Sequence, residues 1–83
     1  MRLATAGNVM VPAILLLEER GYVVDARREA TSWSWSARRG DVELVGDDPI
    51  ALLGLAALAE ARGDAWRATD EQIRSVLGRY RMT

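Results

Sequence analysis

The side chains of this sequence that could do chemistry are carboxylates, hydroxyls, arginines and a closely spaced pair of tryptophans. Asp47 and Asp48 are adjacent carboxylates of the kind a hard cation uses, yet no Asp-x-Asp-x-Asp loop surrounds them, so no metal site is expected. Thr31, Ser32, Ser34 and Ser36 carry hydroxyls, but the chain has no His and no Cys, and all eleven of its basic residues are Arg. A hydroxyl nucleophile therefore lacks the imidazole or amine that would activate it. The same absences remove thiolate and Schiff-base chemistry, disulfides, Cys-based zinc sites and the lysine of a phosphate-binding loop. Acid–base catalysis would fall to carboxylates such as Asp25, Glu43, Asp47 and Asp48. A carboxylate-based small hydrolase is thus one alternative, and a non-enzymatic domain is the main expectation. A chain of 83 residues also has little room for both a core and a ligand pocket of about 300 Å³. No catalytic residue and no cofactor is assigned.

Trp33 and Trp35, separated by one Ser, could stack on bases, sugars or a Pro-rich peptide. The alternate positions are all Ser or Thr, so the sequence favours both rings as core, pointing inward from a strand. Arg27-Arg28 and Arg38-Arg39 could make a basic footprint, and Trp35, Arg38 and Arg39 are the residues a weak nucleic-acid-binding alternative would use. Against it, the two Arg pairs flank the second strand at opposite ends, on the order of 30 Å apart, and read as solvated turns. The net charge is −1, with twelve acidic residues interleaved among the basic ones, so nucleic acid is not expected as the main partner. Arg39-Gly40-Asp41 matches an adhesion tripeptide, but these are also common turn residues.

The elements that would position these side chains are organised around a central helix. Asp47-Asp48-Pro49 supplies an N-cap and a proline at the first helical position, and Gly63 supplies the stop after Arg62. Residues 50–59 contain no charged or hydrogen-bonding side chain. One face carries Leu52, Leu55, Ala56 and Ala59, and a second carries Ile50, Leu53, Gly54, Ala57 and Leu58. Gly54 in mid-helix implies close approach by another element. A run of ten apolar residues is about half a membrane span, so the helix belongs in a protein core or interface.

Residues 9–17 form a first apolar helix, with Asn8 a plausible cap after Gly7, Pro12 at the limit of the first turn and Gly21 at its end. Glu18-Glu19-Arg20 follows the run where a signal peptide would need small residues, so the chain reads as cytoplasmic. Whether residues 2–5 form a strand is open. The period then becomes alternating through residues 22–26, 33–37 and 42–45, which gives a three-stranded antiparallel meander. Trp66 is expected to anchor a short loop, and Thr69-x-x-Gln72 is a capping box that opens a last helix with the stripe Ile73, Val76, Leu77 and Tyr80. The expected architecture is a single α+β domain over residues 1–83, order α-β-β-β-α-α, with the meander on the central helix and the first and last helices beside it.

One sheet and two short helices are not expected to cover both apolar faces of the central helix. Ile50, Leu53, Gly54, Ala57 and Leu58, with Met10, Ile14 and Leu17 of the first helix, therefore form candidate strips for binding protein. The function expected on these grounds is a small interaction module that pairs with itself, most simply as a twofold dimer, and has no membrane partner. Arg-only basicity and abundant Ala fit a GC-rich bacterial genome.

Overall fold

A computed structural model describes residues 1–5 and 8–82. The chain runs α1 (Met10–Glu19), β1 (Val23–Glu29), β2 (Ser32–Arg39), β3 (Val42–Gly46), α2 (Pro49–Arg62), a 3-10 turn (Gly63–Ala65) and α3 (Asp70–Arg79). This is the α+β order the hydrophobic periods imply. Residues 2–5 form no strand, and Gly7 lies outside the described residues. Val9 rather than Asn8 occupies the N-cap of α1 and makes no side-chain cap. The late start leaves Pro12 in the first turn, where its missing N–H would have had no partner.

The end of α1 locks the helix to the sheet. Gly21 has φ +90°, its N–H donates to the Glu18 carbonyl, and the Tyr22 N–H donates to the Leu17 carbonyl. That is a Schellman cap, which brings the residue after the glycine against the last turn of the helix. Leu17 and Tyr22 are accordingly both core residues, joined by Ala37, Leu44, Leu52 and Ala56.

The strands lie in chain order, β1-β2-β3, all antiparallel. Two-residue loops join them, and in each the first residue, Ala30 or Gly40, has positive φ. The register sets Val24 opposite Ala37 and Ala37 opposite Leu44, so this row lies under the helices. Serines 32, 34 and 36 alternate onto the other face, as expected. Trp33 and Trp35 share the helix-side face with Ala37, but they do not supply the core between them. Trp35 is half-buried at its margin, while Trp33 is 52% exposed. The cause is the length of β3. It pairs only with residues 35–39 of β2, so the outer half of the β1-β2 hairpin overhangs the body and Trp33 with it. Arg27-Arg28 and Arg38-Arg39 lie within strands rather than in turns.

α2 begins as its sequence implies. The Asp48 side chain accepts from the Ala51 N–H at 2.8 Å, and Pro49 occupies the first turn. Its Leu52 and Ala56 are fully buried against the sheet, and α1 packs on α2 and β1. The Glu60 carboxylate then ties three elements together, 3.0 Å from Arg20 Nη1 and 3.6 Å from Arg39 Nη1. The Arg39 guanidinium also donates to the Arg20 carbonyl at 2.9 Å and lies over the Tyr22 ring.

α3 departs from expectation. Its capping box forms, with Thr69 and Gln72 each accepting from the other's backbone N–H, but the helix does not lie beside α2. None of its residues is buried, and it makes no substantial packing contact with another element. Amphipathic spacing identifies an apolar face, and here Ile73, Val76 and Tyr80 of that face are exposed while Leu77 is half-buried.

Candidate interaction surface

The carboxylates do not converge. Asp48 caps α2, Asp25 stands on the outer face of β1, and Glu43 is on β3 at the edge of a groove that neither of them lines. Among the described residues no three carboxylates come together as a metal site. The residues of the nucleic-acid alternative also separate. Trp35 and Arg39 face the helices, Arg38 faces outward by strand alternation, and Arg39 is held by Glu60 and Tyr22.

The apolar strips divide between core and surface. Leu17 is fully buried, so it supports the fold and lies on no outer strip. Leu53 is half-buried against the core, and Ile14 and Ile50 are likewise half-buried. Gly54, Ala57, Leu58 and Met10 are exposed. The close approach that Gly54 implied does not occur, because a methyl group placed on it would meet nothing within 4 Å. Periodicity did not single out Val11 and Leu15 of α1, yet both are exposed, Leu15 at 53%, as is Leu16 of the expected apolar arc. Their signal was the excess of apolar residues in α1, more than one buried stripe can use.

Beside α2 runs an open groove of about 540 Å³, bounded by β3, the second half of α2 and the connection after Gly63. It is larger than a chain of this size was expected to leave. Leu55, Leu58 and Trp66 line it with apolar side chains and Asp41 and Asp64 with acidic ones, while Glu43 stands opposite Arg38 on the outward face of β3 and Arg67 lies over the Trp66 ring. Trp66, expected to pack down as an anchor, is instead 40% exposed at this edge. β3 is an edge strand, so its outward backbone groups face the groove unpaired by sheet.

The scale of the exposed surface is large. The chain exposes 6831 Å², whereas a compact monomer of 9.2 kDa would expose about 4,900 Å². Its radius of gyration is 14.9 Å, against about 12 Å for a compact chain of this length. Ile73, Val76 and Tyr80 of α3, four residues of α1, and Leu58 and Trp66 all contribute to that surface. Among the described residues, no helix is long and apolar enough to cross a membrane.

No protein-family model matches the sequence, and no curated protein or solved structure is significantly similar to it.

Proposed function

We propose that the domain is a non-enzymatic protein–protein interaction module that associates with a second copy of itself. The observation that carries this reading is the excess of roughly 1,900 Å² over a compact monomer, to which exposed apolar side chains on all three helices contribute alongside Met1 and Leu3 of the non-helical N-terminal residues. Two such chains carry about 3,800 Å² of excess between them, within the roughly 2,000–5,000 Å² that obligate homodimer interfaces bury in total. Patches of this kind on a lone monomer are an aggregation liability. An interaction module exposes them because a partner covers them.

Sedimentation over the micromolar range tests the reading, with a concentration-dependent dimer as the expected result. Ala57→Glu, on the exposed strip of α2, leaves the core untouched and probes that strip directly. Leu53→Asp does not serve, because its half-buried side chain packs on the core and the change would unfold the body. A single species of monomer mass at all concentrations overturns self-association.

A further inference from the structure

We infer that the two copies pair by exchanging α3, each copy laying its last helix in the α2/β3 groove of the other. This rests on the self-association reading above and assigns its contact.

Three observations select this occupant. First, groove and helix are each unpartnered, and their chemistry corresponds. The groove floor is Leu55, Leu58 and Trp66, and α3 offers Ile73, Val76 and Tyr80, all exposed, along one face. Second, the charges are opposite. The groove lining carries Asp41 and Asp64 and no arginine, and helical spacing places Arg74 on one flank of the α3 stripe and Arg79 on the other. A helix docked there sets arginines against these carboxylates and covers the open edge of β3. Third, the area is sufficient. An element with no buried residue in one copy that docks in a second removes apolar surface from both, which brings a chain with 6831 Å² of exposed surface toward the compact value.

The geometry closes. Reciprocal exchange uses the same pair of surfaces twice about a twofold axis, so it ends at a dimer rather than a fibre. The connection from Gly63 to Thr69 serves as the hinge. It holds a 3-10 turn and exposed residues throughout, with none of the core side chains.

The native chain has no Cys, so introduced thiols report without background. Asp41→Cys protein, its thiol in the turn that borders the groove, is refolded together with Arg74→Cys protein and oxidised. Exchange predicts a disulfide joining the two different chains on a non-reducing gel and much less covalent dimer from either variant alone. The double variant Asp41→Cys/Arg74→Cys distinguishes the intramolecular arrangement, since a disulfide-closed monomer with no cross-linked dimer means that α3 folds back on its own groove and overturns exchange. Val76→Glu gives a second readout. Its side chain is exposed on a helix that supports no core, so circular dichroism of the body stays unchanged while the dimer dissociation constant rises about tenfold or more. An unchanged constant overturns the assignment. If wild-type protein dimerises but neither cross-link forms, the groove assignment fails and self-association stands. If wild-type protein is monomeric, both fail.

Discussion

Tyr22 holds more of this fold together than its place in a strand-like run implies. It follows the glycine of the α1 cap, its ring is 3% exposed, and the Arg39 guanidinium sits 4.4 Å from the ring centroid. Its hydroxyl is buried with no hydrogen-bond partner among the described residues. A buried donor left unpaired costs about 1–3 kcal/mol, so Tyr22→Phe is expected to raise stability by up to about 1 kcal/mol in urea unfolding. A loss instead would mean that the hydroxyl finds a partner such as bound water. The role of Tyr22 was legible in principle, because an apolar residue after a helix-ending glycine packs on the last turn. Alternation likewise identified the face of Trp33 and Trp35 but not how far the helices reach along it. That limit came from the five residues of β3, a tertiary fact that no local pattern of β2 contains. Gly54 misled for a similar reason, since a small residue in a helix marks a close neighbour or an open surface equally well.

Between elements, the turns show what local rules can and cannot fix. Gly40 occupies the positive-φ position of the second hairpin, and Ala30 occupies the same position of the first at φ +52°. An L-residue there carries strain of order 1 kcal/mol, so Ala30→Gly should stabilise the domain by about 0.5–1 kcal/mol in thermal or urea unfolding. Unchanged stability would show that the overhanging hairpin frays before the body unfolds. Arg81 repeats the theme at the end of α3, in a Schellman cap with φ +57° where glycine is usual. The starts of α2 and α3 and the stops at Gly21 and Gly63 were readable because caps are short-range chemistry, whereas Asn8 misled at the start of α1. The placement of α3 was not, since its stripe declares an apolar face without saying which molecule buries it. The join of Arg20, Arg39 and Glu60 was also missed, because residues so distant in sequence carry no shared signal. These side chains are about a third to two-fifths exposed, and the pairs are worth at most about 1 kcal/mol.

At the scale of the molecule, the body and α3 are energetically separate in a single copy. A free helix of ten residues is marginal in water, so in dilute protein the α3 amides should exchange hydrogen rapidly while β2 amides resist up to global unfolding. At dimer-forming concentration α3 should become protected. Strong protection of α3 independent of concentration would contradict its separation from the body. The strand order carries a further consequence in time. Each strand pairs with the next along the chain through a two-residue loop, so the sheet closes through local contacts, the arrangement that gives fast folding. Formation of the body is then a unimolecular event whose rate ignores dilution. On the proposed exchange, the arrival of α3 from another chain is a collision, and its rate scales with concentration.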